Sequence, residues 1–436
     1  MNSIARTLLG LLLLATTNAN AQWTAEKPGS DNLTVLSHIE LGPRLSVSDM
    51  DLEQEESRPF AYVGRMQYGT EGPRGMDVID VSDPTNAKLI YSWRIEDQDL
   101  HLGTGGMDVK HFKYKDRYYV VQSLQFGQGG PDGDLGAVVL DVTGLPDASK
   151  VKEVARIREP DLPGGFHNIF IYKHSSGKVL LFATVSGPFA NVYDLGMVVE
   201  GKGADAQIAR VPVPNQEMTR RGYHDFYAGY HVETGTDRFY GGGAGGYYVY
   251  DITDLDNPEL LVTLVGVSGV QYGHTFTPSP DGRYVIAETE YQYAPLRIFD
   301  LKPALDGDVR NIRNPIAAWT ADWRNLVHNH EVRWPLVFVS GYLDGLQVFS
   351  LEDPTNPTTV AYYDTYLGPP NTDRYPMFNG AFGVDVRNSD GLIAVSDMTT
   401  GFWLFRMEGF NGWNGKEYGV PDVSSVQKWD TGPAGE

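Results

Sequence analysis

Two hydrophobic residues followed by Asp and then a polar turn recur along this chain. The copies are Val78-Ile79-Asp80, Val139-Leu140-Asp141, Val192-Tyr193-Asp194, Val249-Tyr250-Asp251 and Ile298-Phe299-Asp300. Two degenerate copies follow, Val348-Phe349-Ser350 and Leu404-Phe405-Arg406, and successive steps run between 49 and 61 residues. A period near fifty marks a repeated small sheet that cannot bury both faces alone. Each unit also carries earlier strand pairs, such as Phe166 to Tyr172 before Val179 to Thr184 across a Ser-Ser-Gly turn. A further strand follows each Asp. Four strands in each of seven units predict an all-β chain, a seven-bladed β-propeller of four-stranded antiparallel blades. The last unit runs out of chain after its third strand. Leu33 to Leu41 (33-41) has no blade of its own, so it is expected to complete blade seven and close the ring, removing two open sheet edges.

The turns after the repeated Asp are alike. Val81-Ser82-Asp83-Pro84-Thr85-Asn86, Ile252-Thr253-Asp254-Leu255-Asp256-Asn257-Pro258 and Leu351-Glu352-Asp353-Pro354-Thr355-Asn356-Pro357 combine Asp and Asn, which bond nearby backbone, with Pro, which fixes φ. In this the chain resembles the LVIVD-repeat proteins over most of residues 33 to 407. The resemblance implies a propeller and little about activity.

Composition agrees with strands and turns: 49 Gly, 26 Pro and 25 Tyr among 436 residues. Residues 1-21 read as a secretory signal, with Arg6, an apolar run from Leu8 to Ala15, and a small-residue cleavage site ending at Ala21. The run is too short to span a bilayer. The expected product is secreted or periplasmic and monomeric, with the propeller over 22-410 and a C-terminal extension over 411-436. Five Gly and two Pro in that extension predict little order. With no cysteine, disulfides, thiolate ligands and a Cys nucleophile are excluded. The net charge of −21 disfavours nucleic acid and anionic membrane surfaces as partners. No membrane insertion is expected.

The repeat also serves as a ruler for histidines. In a propeller the first strand of each blade lines the central channel. His167 and His224 lie 27 residues before their Asp, His274 lies 26 before Asp300, and His330 lies 20 before Ser350, where the hairpin around Trp334-Pro335 is short. Ser48, Met107 and Phe382 take the place in the other blades, leaving that side open for solvent or a substrate. Four imidazoles converging near the axis predict a transition-metal site for iron, copper or zinc. Against this stands a polar channel lining without metal. His328, two residues before His330, points the same way along a strand and is an outside candidate. Asn168, Asp225 and Glu331, like Asp49 and Asp108, are expected to bond backbone at the strand start.

The leading functional reading is a metal-dependent oxidoreductase or oxygenase acting on a small molecule. Four His on separate blades is similar to the iron site of carotenoid cleavage oxygenases, and a His-bound copper propeller is similar to the selenium-binding and methanethiol oxidase group. The alternatives are a non-catalytic surface scaffold, or a polysaccharide-lyase-like enzyme binding a saccharide through His, Tyr and Arg. Arg220, Arg221, Tyr223, Gln271, Tyr272, Glu288 and Glu290 lie near the His strands in sequence, and the Arg and Tyr among them would supply that chemistry beside His. Gly241 to Gly246 lacks the strand-to-helix context of a phosphate loop and is expected to allow close strand packing.

Overall fold

In the computed structural model, which describes residues 28–69, 71–126, 131–214, 221–368, 377–415 and 429–430, every hydrophobic–Asp repeat is the third strand of a four-stranded antiparallel sheet. There are seven such sheets. Their first strands contact one another in cyclic order, with blade one against blade seven, and form a seven-bladed propeller. The proposed leader, residues 1–21, lies outside the described residues.

The repeated Asp is a turn former. Asp80, Asp141, Asp251 and Asp300 each accept a hydrogen bond from the backbone N–H two residues on, at 2.8 to 3.0 Å. The second Asp of the turn does the same: Asp83, Asp254 and Asp353 accept from Thr85, Asp256 and Thr355. These are local side-chain turns that launch the outer strand of each blade. Asp194 instead caps the short helix Leu195–Val199.

Leu33–Ile39 closes the ring. It pairs antiparallel with Gly401–Met407, matching Leu33 to Met407 and Val35 to Phe405, and His38 stacks on Trp403 at 3.8 Å. Blade seven is thus built from both ends of the propeller chain. Between blades the strands interdigitate apolar side chains, as where Phe182 of blade three packs at a tilt on Phe226 and Phe239 of blade four, and Phe239 meets Tyr223 of its own blade edge to face.

The extension departs from its expected looseness at the positions described. Trp413 donates to the carbonyl of Trp334 at 2.8 Å. Trp429 is 8% exposed, packs edge-on to His111, and is followed by an ion pair from Lys113 to Asp430. Aromatic area explains this docking, since a buried indole outweighs the chain entropy that Gly and Pro add. Among the described residues no helix is long and apolar enough to cross a membrane.

Candidate metal centre

The first strand of each blade starts with a β-bulge or just after a loop, and this irregular start presents the site residues. Backbone pairing sets the equivalences. His274 N–H donates to the carbonyl of Glu288, and His328 N–H donates in the same way to that of Ser340. One residue on, Asp108, Asn168, Asn329 and Gly383 each donate N–H to a Ser or Thr hydroxyl of the second strand. The residues at the site level are therefore Ser48, Met107, His167, His224, His274, His328 and Phe382.

Blade six is where the structure departs from the sequence ruler. His328, not His330, takes the place beside His274. The ring centroids run His167 to His224 at 4.6 Å, His224 to His274 at 4.0 Å, and His274 to His328 at 5.1 Å. His330 lies two residues further along the strand. A slip of two keeps a side chain on the same side, so the hydrophobic pattern could not separate the two positions.

Three of the four imidazoles are held by Nδ1. That of His167 meets Gln125 Oε1 at 2.8 Å, and that of His328 meets the carbonyl of Phe382 at 2.7 Å. His274 Nδ1 lies 2.6 Å from Glu288 Oε2 and 2.8 Å from the Thr275 hydroxyl. A proton held on Nδ1 leaves Nε2 with its lone pair free, the tautomer a metal ligand needs.

Glu290 supplies the oxygen. Its Oε2 lies 3.8 Å from His224 Nε2 and 3.7 Å from His274 Nε2, and its Oε1 accepts from the Tyr342 hydroxyl at 2.5 Å. His224, His274 and Glu290 each offer a ligand atom within 4.8 Å of the others. Two imidazoles and a carboxylate at that separation form a donor set for a borderline divalent ion. His274 is buried, whereas His224 and Glu290 keep 12% and 17% of their side chains exposed, which gives the site a solvent approach.

The electrostatics separate His274 from its neighbours. Burial holds His167, His224 and His328 well below the ordinary imidazole range, helped by cationic Arg221 and His274 for the first two and by His274 for the third. Burial works against the His274 cation as well, but Glu288 outweighs it and raises the pKa to about 9. Burial lifts Glu288 to about 7 in spite of the attraction of His274. Of the four imidazoles His274 alone is held in the charged range, so a metal binding its Nε2 must displace the second proton, while Glu288 keeps the one on Nδ1.

The three His-free blades do not leave an open side. Ser48, Met107 and Phe382 are all buried, and the last two join Leu45, Met66, Leu326, Tyr342 and Met398 in an apolar cluster. The Ser48 hydroxyl donates to the carbonyl of Gly106. Loops from blades one, six and seven fill what single-strand reasoning took as space.

The residues one past the histidine level mostly bond backbone, as their types suggested. Asp49 and Asp225 accept from the next N–H, and Asp108 accepts from Ile169 N–H of the neighbouring blade. In blade six the residue at this level is Asn329, which donates to Asp49, and Glu331, two residues further along the strand, pairs with Arg333. The glycine run does allow close packing, within blade four at Gly243 and against blade five at Gly242. A Cβ at Gly242 would overlap the carbonyl of His274, and one at Gly243 that of Gly222.

Glu288 and Glu290 lay among the neighbours in sequence without a role. One signal could have found Glu288. The position it occupies on the second strand holds Ser123, Thr184, Ser340 and Ser396 in other blades, so a carboxylate there is exceptional.

No family model matches the chain, and no curated protein sequence matches it. Among solved structures it is similar to Raptor of Chaetomium thermophilum, with a TM-score of 0.55 and 13% identity over 89% of this chain. The matched region is 30% of that protein's length. At that identity the likeness speaks to the fold alone.

Proposed function

We propose that this propeller is a metal-dependent enzyme, an oxidoreductase or oxygenase acting on a small molecule at one mouth of its channel. The observation that carries the reading is the convergence of His224, His274 and Glu290 within 4.8 Å. Two His and one carboxylate with coordination positions left open are the donor set of non-haem ferrous oxygenases. Such an ion would activate oxygen or polarise a bound substrate. Glu288 would fix the ligating tautomer of His274, and Tyr342 would hold the Glu290 carboxylate in place. His167 and His328 would flank the ion with imidazoles kept neutral by burial. With the leader-like residues 1–21, the enzyme would work outside the cytoplasm, as its resemblance to LVIVD-repeat proteins also leaves room for.

The test is elemental analysis of protein purified from iron-, copper- and zinc-supplemented cultures, beside the double variant His224→Ala/Glu290→Ala. Near-stoichiometric iron, copper or zinc in the parent and loss of that metal in the folded variant are expected. A parent free of metal under every supplement would end the reading.

A further inference from the structure

A second polar chamber lies deeper in the channel. Across the axis, directly beneath the histidine level, runs a belt of side-chain hydrogen bonds. The Thr275 hydroxyl reaches Asp225 Oδ2 at 3.3 Å and Asn329 Oδ1 at 3.0 Å, and Asn329 Nδ2 donates to Asp49 Oδ2 at 2.8 Å. Against this belt is a cavity of about 40 Å³, lined by Asp49, Asp108, Asp225, Glu331, Asp385 and His330 among others. Space of that size holds an ion with one or two waters.

His330 is the anomaly in it. The corresponding residues of the other six blades are Met50, Val109, Ile169, Phe226, Phe276 and Val384, all apolar. His330 is 4% exposed, and neither ring nitrogen has a hydrogen-bond partner. A buried imidazole with two unmet polar atoms costs free energy that a valine would not. Acidic side chains also outnumber basic ones there. Six carboxylates (the five above and Asp51) meet three cationic side chains: Lys110 on Asp108, Arg333 on Glu331 and Asp385, and His111 on Asp51.

We propose that this chamber is a second metal site, taking a partly hydrated divalent ion of the manganese class on His330 and the surrounding carboxylates. One nitrogen and several hard oxygens suit that class better than copper or zinc. The donors are not gathered as tightly as His224, His274 and Glu290. Retained waters therefore form part of the coordination, bridging carboxylates that already bond backbone. The ion satisfies His330 and gives the surplus carboxyl groups a cation in one step. This site stands apart from the upper centre and does not depend on it.

The test is a Mn²⁺ titration of chelator-stripped protein, read by loss of the free-ion electron paramagnetic resonance signal, in four forms. These are the parent, His224→Ala, His330→Val and the double variant. Valine already occupies this level in blades two and seven, so His330→Val should fold, and its metal-free form should melt at higher temperature than the parent. The expected result is that His224→Ala retains one bound Mn²⁺ and the double variant retains none. If the upper centre is not a metal site, the parent itself binds one Mn²⁺ that His330→Val abolishes, so the two readings fail separately. Unchanged Mn²⁺ binding in His330→Val, or no Mn²⁺ bound by His224→Ala, overturns the proposal. Should His330→Val not fold, Asp108→Asn decides. Binding weakened roughly tenfold or more supports the site, and unchanged binding overturns it.

Discussion

His274 Nδ1 lies 2.6 Å from Glu288 Oε2, and both groups are almost wholly buried. The pair sets which nitrogen of His274 is free. Glu288→Gln keeps a hydrogen-bonding atom but removes the charge that holds the proton on Nδ1. Metal affinity at the upper site should fall by roughly 10- to 100-fold, the range for losing such an orienting carboxylate. Competition with a chelator of known affinity measures it, and far-ultraviolet circular dichroism should remain unchanged. Equal affinity in parent and variant would show that Glu288 serves only the fold.

Ring closure depends on seven residues far from the strand they pair with. Leu33 is 7% exposed and packs among Phe338, Phe405 and Met407 of the last two blades. Leu33→Ala should cost about 2–5 kcal/mol, the range for a buried leucine whose site cannot fully collapse. Deleting residues 33–39 goes further, because it strips the partner from Gly401–Met407 and opens that edge to other chains. The deleted protein should form higher oligomers in light scattering where the parent does not.

Arg333 is fully buried and ties the channel wall together. It donates to Glu331 Oε2 at 2.7 Å, to Asn388 Oδ1 at 2.6 Å and to the carbonyl of Val386 at 2.7 Å, and reaches Asp385 at 3.3 Å. Arg333→Met leaves two carboxylates without their cation, and burial already lifts Asp385 to about 7. A loss of roughly 3–5 kcal/mol in denaturant unfolding is expected. Arg333→Lys should recover little of it, since one ammonium cannot span four acceptors.

How much of this was legible beforehand follows from what each signal measures. The turn Asp residues act within two positions of themselves, so the repeat exposed them, and with them the blade count and the closing strand. The histidines at 167, 224 and 274 followed from the same spacing because their hairpins are of similar length. Blade six has a two-residue hairpin at Trp334-Pro335, and there the ruler slipped by one strand period from His328 to His330. Glu290 comes from a connection rather than a strand, and the apolar filling beside Phe382 comes from five connections in three blades. Neither carries a period, so neither could be placed by counting.

Acid should weaken the fold through a histidine outside the channel. Burial depresses the pKa of His231 to about 3, while its Nε2 meets the Tyr240 hydroxyl at 2.7 Å. The unfolded chain binds this proton near pH 6.5 and the folded chain does not until about pH 3. Its contribution to stability is therefore complete above pH 6.5 and is lost as pH falls below it. The slope from this group is about 1.4 kcal/mol per pH unit across that window. His231→Gln should flatten the stability profile by one proton's worth between pH 6 and pH 4, measured by urea unfolding at a series of pH values.

Gly242 links the glycine run to the candidate centre. A Cβ there would overlap the carbonyl oxygen of His274, which belongs to backbone and cannot rotate away. Gly242→Ala must therefore displace the start of blade five, and with it the His274 side chain relative to His224 and Glu290. These three are related by separations under 4.8 Å, so a shift of an ångström changes the donor geometry. Gly266 sits in a different setting, where a Cβ would meet only the flexible side chain of Arg313 at 3.5 Å, although its φ of 70° strains any substitution. Both alanine variants should lose stability. Only Gly242→Ala should lose upper-site metal as well, measured by metal content per folded chain. Equal metal retention in the two would show that His274 does not need its packing on Gly242 to serve as a ligand.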